Sequence, residues 1–181
     1  MPYSDGELYA SDAAYKDGKY YLYYSMRDAI DEGVAVADAP AGPFRDGRPV
    51  EGISQIDPAV FIDDDGQAYL YWGQFSAKGA KLKDNMLEVD TTTIVDGLVT
   101  EQEHFFHEGS SMRKRNGIYY MVYSQLRKGR PTCIGYATSR SPLGPFEYGG
   151  VIVDNAGCDP ESWNNHGSIC EFDGRWYVLY H

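Results

Sequence analysis

YKDGKYYLYYS, residues Tyr15 to Ser25, sets polar residues and an Asp-Gly pair ahead of an aromatic-rich run. Asp-Gly tolerates the positive φ of a tight turn, so the segment reads as a hairpin whose returning strand is aromatic. The design recurs as IDDDGQAYLYWG (Ile62 to Gly73), RKRNGIYYMVYS (Arg113 to Ser124) and EFDGRWYVLYH (Glu171 to His181). Aligned on Gly18, Gly66, Gly117 and Gly174, the copies stand 48, 51 and 57 residues apart. A period near fifty residues means one small sheet per repeat. GVAVADAPAGPF (Gly33 to Phe44) and IGYATSRSPLGPF (Ile134 to Phe146) are two copies of a further element, a short apolar strand closed by Gly-Pro-Phe. Twenty glycines and nine prolines interrupt any helical pattern longer than about three turns. The expectation is an all-β propeller, one domain over residues 1–181.

At 181 residues the chain can bury roughly 70% of the surface of its unfolded form, enough for a core without staples. Sixteen tyrosines favour strands, and they also suit platforms on which sugar rings lie. Lys plus Arg is 16 against 27 for Asp plus Glu, a net charge of -11, which repels phosphate backbones and anionic lipid. Neither a nucleic acid nor a membrane is expected as partner. Cys133, Cys158 and Cys170 lack any CxxC or Cys/His ligand spacing, so they read as buried thiols and not as a disulfide framework or zinc site. The N-terminus MPYSDGELYASD has no basic region followed by an apolar stretch, and no run approaches the ~18 apolar residues of a membrane span. As written, the chain reads as cytoplasmic; it reads as secreted if its native N-terminus lies upstream.

The first repeat begins almost at Met1 and the last stops at His181, directly after its aromatic strand. Propellers bury their edges by closing the ring. The expectation is therefore an open arc that exposes sheet faces and gains from a partner, such as a second copy of the chain.

YASDAAYKDGKYYLYYS (Tyr9 to Ser25), QIDPAVFIDDDGQAYLYWG (Gln55 to Gly73), HEGSSMRKRNGIYYMVYS (His107 to Ser124) and NNHGSICEFDGRWYVLYH (Asn164 to His181) together resemble glycoside hydrolase family 43. The resemblance covers nearly the whole chain. It implies a five-bladed β-propeller, here without its first blade and the end of its last, acting as a β-xylosidase or α-L-arabinofuranosidase on arabinoxylan, xylan and arabinan. It also implies an inverting mechanism with three acidic residues: a base, a pKa-tuning aspartate and a general acid. Asp57 in IDP matches the tuning aspartate and Glu108 in HEGS the acid. The base motif would lie upstream of Met1, which leaves Asp12, in Tyr9-Ala10-Ser11-Asp12, as a substitute base. His166 in NNHGS matches a histidine that contacts a calcium or sodium ion through water and lines the substrate site. No cofactor is otherwise required.

The chemistry needs these residue types. An inverting glycosidase donates a proton from a carboxylic acid to the leaving oxygen, while a carboxylate roughly 6.5–9.5 Å away activates water on the other face of the sugar. Glu108 must then stay protonated near neutral pH, which a nearby anion such as Asp57 favours. The residue before Pro58 is biased toward extended backbone, which suits Asp57 to an inner strand. Trp163 and Trp72 are placed as platforms for a pentose ring, the alternative being packing between blades. Asp63, Asp64 and Asp65 read as an exposed turn, and His104 and His107 as surface or supporting residues. The expected partner is a pentose-containing oligosaccharide. The alternative function is a non-catalytic carbohydrate-binding propeller fragment. A kelch-like interaction module would explain the repeat but not the carboxylates.

Overall fold

The computed structural model describes residues 7–27, 31–161 and 165–181. The chain divides into two compact units, the first of residues 1–73 and 79–94, the second of residues 74–78 and 95–181. Strands β1 (Leu8–Lys16), β2 (Lys19–Met26), β3 (Gly33–Ala37) and β4 (Arg45–Pro49) form one sheet in that order. Strands β5 (Ala59–Ile62), β6 (Ala68–Trp72), β7 (Ser76–Lys81) and β8 (Val95–Thr100) form the next, also in chain order. A four-residue helix α1 (Glu101–His104) leads into β9 (Phe106–Arg115), β10 (Ile118–Gln125), β11 (Cys133–Ser139) and β12 (Glu147–Val153), which pair consecutively. Strands β13 (Gly167–Phe172) and β14 (Arg175–Tyr180) make a two-stranded sheet. The strand pairings are antiparallel, as short hairpin connections require. Among the described residues no helix is long and apolar enough to cross a membrane.

The four glycine turns come where the sequence puts them, in two geometries. Asp17 (φ 51) and Gly18 (φ 80) are both left-handed, as are Asn116 with Gly117 and Asp173 with Gly174. These are two-residue turns whose twist matches that of the flanking strands. At Asp65-Gly66 only the glycine is left-handed, and the loop is longer. There Asp63 Oδ1 accepts from the Asp64 N–H (2.8 Å) and Asp65 Oδ1 from the Gln67 N–H (2.9 Å), so the acidic run shapes its own turn.

The aromatic strands build the cores. In the first unit Tyr23, Val34, Leu70, Trp72 and Met86 pack in one cluster, and the Tyr23 hydroxyl donates to the Met86 carbonyl at 2.7 Å. In the second unit Phe106, Met121, Tyr123 and Ile134 are fully buried, with the Phe106 and Tyr123 rings edge to face at 5.4 Å. Trp72 is 2% exposed within the first cluster. That corrects its reading as a sugar platform, because strand β6 is buried on both faces and the indole has no open face to offer. The cysteines also depart from the sequence reading. Cys158 is exposed, in a turn closed by its N–H to the Asn155 carbonyl, and Cys133 and Cys170 are half-buried. Phe172, Leu179 and Tyr180 on β13 and β14 are exposed.

Candidate active site

Glu108 owes its place to a sequence of local devices. The Thr100 side chain caps α1 by accepting from the Glu103 N–H, and Phe105, left-handed at φ 59, ends the helix after one turn. Buried Phe106 then starts β9. Along β9 Ser111 pairs with Val122 and Glu108 with Ser124, so Gly109 and Ser110 together face Tyr123. Such a bulge re-aims the side chains beside it. Gly109 has φ +66, and a Cβ there would come within 3.0 Å of the His166 ring, so the position needs glycine on both counts.

The carboxylate is gripped from two sides. Gln74 Nε2 donates to Glu108 Oε2 at 2.7 Å, and His166 Nε2 lies 3.3 Å from Oε1. Gln74 is delivered by the next residue: the Phe75 N–H donates to the His107 carbonyl (2.7 Å) and its carbonyl accepts from the Glu101 N–H (2.8 Å). The Phe75 ring is exposed and meets the buried His107 ring edge-on at 5.3 Å. His107 Nε2 stands 3.8 Å from Glu108 Oε2. Partial burial pushes the Glu108 carboxyl up, but hydrogen bonds from His166 and Gln74 and the charges of His107 and His166 outweigh it, so it rests below the usual carboxylate range. The imidazole charges act only while those rings are protonated. This differs from the expected protonated acid, because nothing in the local motif signals that Gln74 and His166 both hydrogen-bond to it with His107 close by.

Asp57 belongs to the first unit and is 5% exposed. Its backbone is left-handed at φ 62, ahead of β5, and not the extended conformation that the following proline suggested. Its N–H donates to Ser25 Oγ at 2.9 Å, and Ser25 in turn donates to Glu32 Oε2 at 3.0 Å. Glu32 is fully buried; that burial, with the charges of Asp57 and Asp31, outweighs the Ser25 hydrogen bond and pushes its carboxyl up to about 8. Asp12 follows a bulge in β1, where Tyr9 pairs with Ser25 and Asp12 with Tyr23. Its oxygens accept from the Ala13 N–H and, joining β1 to β5, from the Val60 N–H, both at 2.9 Å.

His166 is half-exposed beside Glu108, with the His181 ring at 6.1 Å. One imidazole nitrogen and one carboxylate do not by themselves supply the six to eight oxygens that calcium prefers, so this pair could only orient a hydrated ion. His104 is a core staple: the Thr100 N–H donates to its Nδ1 (3.1 Å), leaving Nε2 to donate to the Phe146 carbonyl (3.1 Å). Trp163 lies outside the described residues. Gln74, Ser25 and Glu32 were missed from sequence; the only hint for Gln74 was a polar residue directly after an aromatic strand.

The sequence pattern of glycosyl hydrolases family 43 matches residues 1–181. The chain is 38% identical to a xylosidase/arabinosidase of Humicola insolens, covering all of this chain and 68% of that protein. It is 36% identical to a β-xylosidase of Xylanibacter ruminicola, covering all of this chain and 67% of that one. Among solved structures, a β-xylosidase/α-arabinofuranosidase from a compost metagenome, in a calcium-free complex with xylotriose, superposes with a TM-score of 0.84 at 36% identity, over 99% of this chain and 66% of that one. A Xanthomonas citri enzyme complexed with xylotriose gives 0.82 at 32% identity, over 99% and 64%. The chain thus spans about two thirds of the length of these relatives.

Proposed function

The chain belongs to glycosyl hydrolases family 43, a family with hemicellulose-degrading glycosidases, and from that premise we propose that Glu108 is the proton donor in removal of terminal xylosyl or arabinofuranosyl units from arabinoxylan, xylan or arabinan. The observation that carries the reading is a half-buried carboxylate on a bulged strand, held between Gln74 and His166. In the reaction Glu108, protonated, gives its proton to the glycosidic oxygen as the bond to the anomeric carbon breaks. Water adds to that carbon from the opposite face and its proton goes to a base carboxylate, inverting the centre. The resting carboxyl lies low, so two changes favour its acid form: loss of the imidazole charges, and displacement of water by the sugar. Asp57, by its motif, adds a negative charge that resists ionisation of the acid. Asp12 is the poorer base, because both its oxygens already serve backbone amides.

The leaving group decides the test. From xylobiose the leaving group is a xylose alkoxide that must be protonated, whereas nitrophenolate departs with little help. Glu108→Gln is expected to lower kcat/KM on xylobiose by roughly 10²–10⁴ and on nitrophenyl xyloside by much less. Equal losses on both substrates, or a xylobiose rate that stays within about twofold, would remove Glu108 from the acid role.

A further inference from the structure

Glu32, Ser25 and Asp57 form a buried polar chain that the acid and base roles leave unexplained. Relative exposures are 0%, 1% and 5%. Asp57 N–H can only donate, so Ser25 Oγ accepts it and its own hydroxyl proton is left for Glu32 Oε2. The Glu32 backbone is itself fixed, its carbonyl accepting from the Val50 N–H at 2.8 Å. At the other end lies strain: Asp57 is a non-glycine residue at φ 62, a conformation that persists only where its surroundings enforce it. Glu32 Oε1 is buried with no hydrogen-bond partner among the described residues. A carboxyl in that setting is tolerated where it is neutral and performs a task that a leucine could not.

We propose that Glu32 is a positioning residue which, by accepting the Ser25 proton, orients Ser25 to hold the left-handed backbone of Asp57 and so aims the Asp57 carboxylate. The proposal rests on the reading of Asp57 as the residue that tunes the acid. Among the described residues the charged groups acting on Glu32 are Asp57 and Asp31, both negative, and burial acts in the same sense, so Glu32 stays neutral into mildly alkaline solution. Ionisation above that range places a second negative charge beside Asp57 and loads the chain electrostatically.

The test uses the chain with Glu32→Gln, Glu32→Leu and Ser25→Ala, read by ¹⁵N-labelled amide spectra and by kinetics on nitrophenyl xyloside. In the parent chain the Asp57 amide resonance is expected to titrate with a midpoint near pH 8. Glu32→Gln keeps an acceptor for Ser25; its Asp57 amide stays at the parent position but loses the titration, and kcat in mildly acidic buffer stays within about twofold. Glu32→Leu and Ser25→Ala shift that amide and speed its hydrogen exchange, and lower kcat by about tenfold or more with little change in KM. An Asp57 amide that neither titrates nor moves in any variant overturns the proposal, whatever the activity. Asp57→Asn, assayed alongside, separates the two ideas: parent-like kinetics in that variant fail the tuning role of Asp57, while the amide data still decide the positioning role of Glu32.

Discussion

Glu108 shows how one residue's chemistry depends on what its neighbours give it. Burial alone would raise its pKa, yet the hydrogen bonds from His166 and Gln74 reverse the sign. An acid catalyst works below its own pKa, so whatever lowers that value cuts activity on the alkaline side. In His166→Ala both the hydrogen bond and the imidazole charge go, the Glu108 pKa rises, and the alkaline limb of kcat/KM is expected to move to higher pH. A pH series on nitrophenyl xyloside checks this; a limb that stays put or moves down would contradict the assigned balance. Glu108 itself was legible because HEGSS is a distinctive string. Gln74 was not, because its role comes from the two backbone hydrogen bonds of Phe75, which no local pattern encodes. Trp72 was misread for a related reason: an aromatic side chain in a strand suits a core or a sugar, and only the burial of both faces of β6 separates the two.

At the scale of the element, the repeat carries more than a hairpin. In three copies the end of the aromatic segment brings Ser25, Gly73 and Ser124 opposite Tyr9, Ile56 and Glu108 in turn. The next residue is left-handed each time: Ala10 at φ 49, Asp57 at φ 62 and Gly109 at φ 66. The same kink therefore recurs with a different side chain in each repeat, and two of the three instances border the motif carboxylates. The Asp-Gly and Asn-Gly turns were readable because their chemistry is local; this kink was not, because alanine, aspartate and glycine share no propensity for it. The strain predicts opposite outcomes. Ala10→Gly relieves a left-handed alanine but loosens the unfolded chain, for a net change within about 1 kcal/mol. Gly109→Ala meets both the strain and the His166 ring, and should cost about 2 kcal/mol or more while displacing His166 from Glu108. Denaturant titration of both variants measures the difference, and equal midpoints would mean that the ring yields freely.

For the molecule as a whole, the carboxyls of Glu108 and Glu32 set opposite limits on stability. Glu108 has a folded value below its unfolded one, so its contribution is present above the usual carboxylate range and is lost as acid protonates it. Glu32 is the reverse case. Its folded value, about 8, exceeds the ordinary 4.5, so between those two values the unfolded chain releases a proton that the folded chain must keep. Stability falls across that interval, by roughly 1.4 kcal/mol per pH unit as an upper slope, and flattens above it. The net charge of -11 adds self-repulsion in the same direction, but a substitution at Glu32 leaves nearly all of that in place. The parent chain should thus be most stable on the acid side of neutrality. Glu32→Gln removes the titration without removing the acceptor for Ser25, so its unfolding midpoint should match or trail the parent near pH 4.5 and exceed it by a margin that widens toward pH 8. Thermal or urea unfolding across that interval reads the margin directly. A constant offset between the two chains would mean that Glu32 ionises in the folded protein as readily as in the unfolded one, and that the polar chain behind Asp57 is wetter than its burial implies.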